Sequence, residues 1–179
     1  THGSDTSIPV EQGQAAALKP LCDDVDQVVA VSSALAKKLK TCGTDTPISV
    51  ILNGFRVQEL HAAEKKDTGS IVQVGHLIQQ KRTDITIRAF ARLKKEYPSA
   101  RLTIVGQGPE RTALEELCRK LDVMDAVCFT GQISNKEVLA EMAQAQFFCM
   151  PSVREGFGIV YLEAMASGCI TIGTEGEGI

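Results

Sequence analysis

Residues 71–110 read IVQVGHLIQQKRTDITIRAFARLKKEYPSARLTIVGQGPE. Two β-rich runs, IVQV (71–74) and LTIV (102–105), bracket a helical pattern, and each run ends directly on a glycine, Gly75 and Gly106. The rhythm continues through VCFT (127–130) into Gly131, FFCM (147–150) into Pro151, and CITI (169–172). These runs are continuously apolar rather than alternating, the pattern of strands buried on both faces of a parallel sheet. Between them the period changes. Leu114, Leu117, Cys118 and Leu121 fall at i, i+3, i+4 and i+7 between Glu110 and Leu121, one apolar helical stripe. Ser134 followed by Glu137 is a capping box, opening a helix whose Val138, Leu139 and Met142 form the buried side. Alternating strands and helices predict right-handed βαβ units and an α/β fold with a doubly wound, Rossmann-like parallel sheet.

Outside this core the pattern thins. VVAVS (28–32) and ISVIL (48–52) are two further strands around an Ala/Lys/Leu helix after Ser33, while residues 1–20 are mostly polar and loop-like. HAAEKKDTG (61–69) is charged and nearly free of large apolar residues, a linker by composition. The expected organisation is residues 1–60 as the C-terminal part of a preceding α/β domain, 61–69 as linker, and 70–179 as the main α/β domain, incomplete at its C-terminus. Two strands and one helix do not close a core, and Thr1 enters as if mid-protein, so the chain reads as a piece of a longer one.

Composition excludes several classes. Nineteen Lys and Arg against 22 Asp and Glu leave a net charge of −3, with no electrostatic footprint for nucleic acid. No apolar run approaches the roughly 20 residues that span a bilayer, and the polar opening THGSDTS is not a signal peptide. The six cysteines show neither CxxC nor ligand spacing, so neither a disulfide framework nor a metal site is expected. Cys128, Cys149 and Cys169 sit in apolar runs as small core residues, which suits a reducing, cytoplasmic compartment.

In a doubly wound sheet ligands bind outside the carboxyl ends of the strands. The segments expected there are GHLIQQK (75–81), GQGPE (106–110), GQI (131–133) and PSVREGFG (151–158). Their glycines serve either ordinary βα turns or close approach of backbone to a ligand. The sharpest element is EGFGIVYLEAMASG (155–168), a helix starting near Gly158 and ending before Gly168. Its N-terminus offers unpaired amides to an anion. Glu155 and Glu163 lie eight residues apart, about 12 Å if all were helical, a span suited to holding two hydroxyl-bearing parts of one ligand. The plainer alternative makes Glu155 a dipole partner and Glu163 a solvated helix residue.

These residues, with VGHLIQQKRTD, LTIVGQGPE, FTGQI and VILNG in that order, resemble the nucleotide-sugar glycosyltransferases of family 4, which have the two-domain GT-B fold. The resemblance spans roughly residues 27–179. It implies that Glu155 holds donor-sugar hydroxyls near the anomeric carbon and that Glu163 holds the ribose hydroxyls. Backbone amides of Gly156, Phe157 and Gly158 would meet the diphosphate or sugar. Lys81 matches the family lysine that neutralises the diphosphate, while Gly75, Gly106, Gly108, Pro109, Glu110 and Ile133 would line the donor pocket. His2, in THGSD, resembles a histidine of the acceptor domain that faces the reaction centre. The donor substrate would be a nucleotide-diphosphate-sugar, with no cofactor and no metal. The acceptor would be a carbohydrate or lipid-linked hydroxyl, and the anomeric configuration would be retained.

Two departures stand out. Family members usually carry arginine where this chain has His76, and a histidine is only partly charged near neutral pH whereas arginine always is; the missing cation weakens diphosphate binding, makes it pH-dependent, or is replaced by nearby Arg82. Glu177 interrupts what is usually a pair of adjacent glycines, and a carboxylate beside phosphates costs affinity unless it points away. A degenerate, non-catalytic nucleotide-sugar-binding module and a GT-B sugar-nucleotide epimerase are the alternatives. Lys37, Lys38 and Lys40 beside Leu35 and Leu39 form either a basic amphipathic patch for peripheral membrane contact or a solvated helix face.

Overall fold

The computed structural model describes Val10, residues 12–54 and residues 66–177. His2 and linker residues 61–65 lie outside the described residues. Contacts divide the chain into two compact units: Thr1–Gly54 with Arg154–Ile159 and Glu175–Ile179, and Phe55–Val153 with Val160–Thr174.

The first unit contains α1 (Lys19–Asp23), β1 (Val28–Ala30), α2 (Ser33–Lys40) and β2 (Ile48–Val50). The two strands are parallel, with Val28 opposite Ile48 and Ala30 opposite Val50. Ser32 caps α2, its hydroxyl accepting from the Leu35 amide at 3.2 Å. Leu35 and Leu39 of α2 bury beside Ala30, Val31, Cys22 and Cys42, and Phe157 packs against this cluster.

The second unit is built on five strands: β3 (Asp67–Val74), β4 (Arg101–Val105), β5 (Val127–Gly131), β6 (Ala145–Cys149) and β7 (Ile170–Ile172). All neighbours are parallel, in the order β5-β4-β3-β6-β7. Four helices connect them: α3 (Thr83–Glu96), α4 (Arg111–Lys120), α5 (Asn135–Gln144) and α6 (Ile159–Ala166). Leu102 and Ile104 bury against Ile87 and Phe90 of α3 and Leu114 and Cys118 of α4. Val72, Val105 and Phe148 join Met142 of α5 and Tyr161 and Ala164 of α6 in a second cluster. Two clusters with separate helix pairs account for the unbroken apolar runs of the inner strands. The capping box is present, with Ser134 Oγ accepting from the Glu137 amide and Glu137 Oε2 accepting from the Ser134 amide at 2.8 Å.

Several expectations need correction. Asp67, Thr68 and Gly69 open β3 rather than closing the linker. Their charge and polarity disguised the strand because its start is exposed and irregular: the register shifts between Asp67 and Ile71, and Gly69 takes φ +75°. Cys128 is exposed rather than a core thiol, because β5 is an edge strand. On the opposite edge, Ile170 and Ile172 of β7 are exposed as well. All six cysteines are free thiols, and burial pushes that of Cys118 up to about 11.

Candidate donor-binding site

From β3 the chain moves outward to β4 and β5, then returns to place β6 on the other side of β3. The switch point therefore lies between β3 and β6, and open α/β sheets bind ligands outside the carboxyl ends at such a point. The residues that follow β3, beginning at Gly75, and those that follow β6, beginning at Met150, are the ones this topology selects.

After the strands end, their loops continue the ladder. Gly75 N–H donates to Val105 O (3.0 Å), Leu77 N–H to Gln107 O (2.9 Å), Gly106 N–H to Gly131 O (2.9 Å) and Glu110 N–H to Leu77 O (3.1 Å). Glycine is required at two places. A Cβ at Gly106, whose φ is +135°, would lie 2.0 Å from Gly75 O, and one at Gly108 would lie 2.3 Å from Leu77 O. The backbone that Gly106 and Gly108 approach is thus the neighbouring loop. Pro109 is exposed, Glu110 is the residue preceding α4, and half-buried Ile133 packs on the β6–α6 cluster.

Lys81 ends a single 3-10 turn, Gln79–Lys81, placed directly after the β3 loop. Two anchors hold that turn. From inside β3, Gln73 donates through Nε2 to Lys81 O (3.3 Å) and to Thr83 Oγ1 (2.9 Å). From the segment after β6, Val153 N–H donates to Gln80 O at 2.8 Å. Gln73 is only 2% exposed and its Oε1 has no partner among the described residues, so a buried amide is given over to positioning this turn. The lysine stem runs beside Gly75, where an added Cβ would lie 3.8 Å from Lys81 Cγ. Gln73 is the site-building residue the sequence reading missed; its signal is a lone polar residue within an apolar strand, IVQV.

His76 is exposed. Arg82, the candidate replacement for the absent arginine, is already engaged: Nε lies 3.1 Å from Asp84 Oδ1 and Nη2 3.3 Å from Asp84 Oδ2. The bidentate guanidinium holds the Asp84 carboxyl below its ordinary range. Arg82 also takes the left-handed conformation, φ +47°, where the chain enters α3.

Glu163 sits in α6, half-buried, and nothing among the described residues donates a hydrogen bond to its carboxylate. Burial raises its pKa above the ordinary 4.5.

Glu155, Gly156, Phe157 and Gly158 group with the first unit. The helix begins only at Ile159, so the segment from Glu155 to Glu163 is not helical throughout. Gly156 and Gly158 are buried, and Gly158 has φ +77°. The amides of Gly156, Phe157 and Gly158 have no acceptor among the described residues. Glu155 N–H, in contrast, donates to Glu177 Oε2 at 3.0 Å, and Lys38 Nζ lies 3.7 Å from the same oxygen. Glu177 therefore turns toward the 155–158 loop rather than away, and Lys38 faces a carboxylate while Lys37 and Lys40 are exposed.

Among the described residues no helix is long and apolar enough to cross a membrane. The chain is 29% identical over 174 residues to the phosphatidylinositol N-acetylglucosaminyltransferase gpi3 subunit of Schizosaccharomyces pombe, covering 90% of this chain and 37% of that one. It is 29% identical over 187 residues to a GDP-mannose-dependent alpha-(1-6)-phosphatidylinositol monomannoside mannosyltransferase of Mycolicibacterium smegmatis, covering 94% of this chain and 49% of that one. The fold matches the Anabaena protein Alr3699/HepE, solved in complex with UDP, with a TM-score of 0.84 at 20% identity over 99% of this chain and 52% of that one. The chain thus spans between about a third and a half of the length of the proteins it resembles. Residues 57–179 match the family described as glycosyl transferases group 1, and with more than half of its length inside that match the chain belongs to this family.

Proposed function

We propose that this chain carries the donor side of a retaining glycosyltransferase, which moves a sugar from a nucleoside-diphosphate sugar to an acceptor hydroxyl. The observation that carries the reading is the Lys81 turn: it follows the strand at the switch point and is fastened there by Gln73 and Val153. A cation so fixed suits a leaving diphosphate, whose charge grows as the glycosidic bond breaks. The open amides of Gly156, Phe157 and Gly158 suit an anion or the oxygens of a sugar. With protein cations and amides stabilising that charge, the proposed step is routed through no metal. Glu163 presents a carboxylate with no donor among the described residues, as the vicinal hydroxyls of a ribose require. Glu155 takes the donor sugar, as the family motif implies. The acceptor hydroxyl attacks on the face the diphosphate leaves, and the leaving phosphate takes its proton. Relatives named for phosphatidylinositol acceptors favour a lipid-linked acceptor presented at a membrane.

Calorimetric titration with UDP-, GDP- and ADP-sugars tests the donor reading, and the expected result is saturable binding of one of the three classes. Transfer to glycolipid acceptors by the full-length protein tests catalysis. The Arg82–Asp84 pair favours a second reading, a module that binds nucleotide sugar without transferring it, since a diphosphate would have to compete with Asp84 for the guanidinium. Tight donor binding with no transfer to any acceptor would select it.

A further inference from the structure

We infer that Glu177 is a positioning residue: its carboxylate, with Lys38 as counter-ion, anchors the backbone of Glu155 and so fixes the loop that receives the donor sugar. This inference rests on the donor-binding reading above.

Three observations carry it. Glu155 N–H donates to Glu177 Oε2 at 3.0 Å. Lys38 Nζ lies 3.7 Å from that oxygen, with side-chain exposures of 25% for Lys38 and 16% for Glu177, so this pair is screened less than one at the open surface. Within the loop, the first of four consecutive amides is satisfied in this way; those of Gly156, Phe157 and Gly158 have no acceptor among the described residues. A glycine-rich loop with two buried glycines has many conformations to lose. A charge-assisted hydrogen bond at its first amide is stronger than a neutral one and removes much of that freedom before the ligand arrives.

The same geometry answers the objection to a carboxylate at position 177. Lys38 offsets its charge, and the oxygen is engaged by a protein amide. Gly176, with φ +83° and nothing among the described residues within 4 Å of a Cβ there, supplies the turn that carries Glu177 to Glu155. A glycine at position 177 would offer no side-chain acceptor for this amide.

The test separates sugar from nucleotide. Calorimetry on the full chain compares UDP with UDP-glucose, GDP with GDP-mannose, and ADP with ADP-glucose, for wild type, Glu177→Ala, Glu177→Gln and Lys38→Met. Glu177→Ala is expected to weaken the sugar nucleotide about tenfold or more, the scale of one charge-assisted hydrogen bond, while changing the parent diphosphate less than about twofold. Glu177→Gln keeps an acceptor oxygen and is expected to recover most of the loss; Lys38→Met is expected to cost a few-fold, roughly in line with a partly screened pair. Equal losses for diphosphate and sugar nucleotide in Glu177→Ala overturn the inference, as does unchanged affinity or a Glu177→Gln variant as poor as alanine. Wild-type protein that binds none of the six compounds overturns the donor reading itself, and the inference with it.

Discussion

Gly108 lies against the carbonyl of Leu77 so closely that a Cβ there would sit 2.3 Å from the oxygen and 2.7 Å from the carbonyl carbon and amide nitrogen. The same oxygen accepts the Glu110 amide at 3.1 Å. Two loops of the sheet edge are therefore packed backbone on backbone, and the entrance to α4 is tied to the loop that leads to Lys81.

Gly108→Ala is expected to cost about 1–3 kcal/mol, the range for forcing atoms into a packed site, because the clash is with backbone and not with a side chain that turns aside. Urea unfolding measures it as a lower midpoint at unchanged slope. Gly54→Ala is the control, since nothing among the described residues lies within 4 Å of a Cβ at that position, and it should stay within roughly 0.5 kcal/mol of wild type. A tolerated alanine at position 108 would mean that the loops are not packed in this register.

Gln73→Leu separates positioning from stability. The substitution removes the donor to Lys81 O and Thr83 Oγ1 while also removing a buried oxygen that has no partner. These effects oppose each other, so stability is expected to change by less than about 1 kcal/mol. Nucleoside-diphosphate affinity is expected to fall roughly three- to tenfold as the Lys81 turn loosens. A large loss of stability with unchanged affinity would make Gln73 an ordinary core residue.

What was legible in the sequence depended on how local the signal is. Runs such as IVQV and LTIV revealed the parallel sheet because burial on two faces leaves no polar alternation, and the Ser134–Glu137 cap is written within four residues. The edge strands misled, since an apolar run says nothing of whether a neighbour covers it; Ile170 and Cys128 are exposed for that reason. Partnerships across the chain left no trace of which residue meets which, although Gln73 stands out as the lone polar residue of IVQV. Glu155 and Glu177 are joined across 22 residues and Gln73 reaches Lys81 across eight. Arg82 lay close to hand as a phosphate cation, yet Asp84, two residues on, takes its fork.

Lys81→Ala is expected to lower turnover of the full-length enzyme about 100-fold or more, the scale of removing one preorganised donor to a developing anion. Lys81→Arg keeps the charge and should fall between the two. Steady-state transfer rates at saturating donor make the measurement. Activity that largely survives without the amine would remove Lys81 from the leaving-group role.

Glu163→Gln should act on stability and binding in opposite directions. Burial raises the Glu163 carboxyl above its ordinary 4.5 in the folded chain, with no offsetting hydrogen bond among the described residues. The folded state thus holds this proton more tightly than the unfolded state. The resulting stabilisation is complete below the ordinary carboxylate value and is lost as pH rises through the folded value. At neutral pH the ionised, half-buried carboxylate is a cost that glutamine does not carry. Glu163→Gln is therefore expected to melt above wild type at pH 7, with the gap closing as the pH falls towards about 4.5. Nucleotide binding should move the other way, weakening about tenfold, because one amide oxygen replaces a carboxylate that accepts from two hydroxyls. Thermal melts across pH and calorimetry at pH 7 read the two effects separately. A variant with unchanged affinity would count against the ribose assignment even if it melted higher.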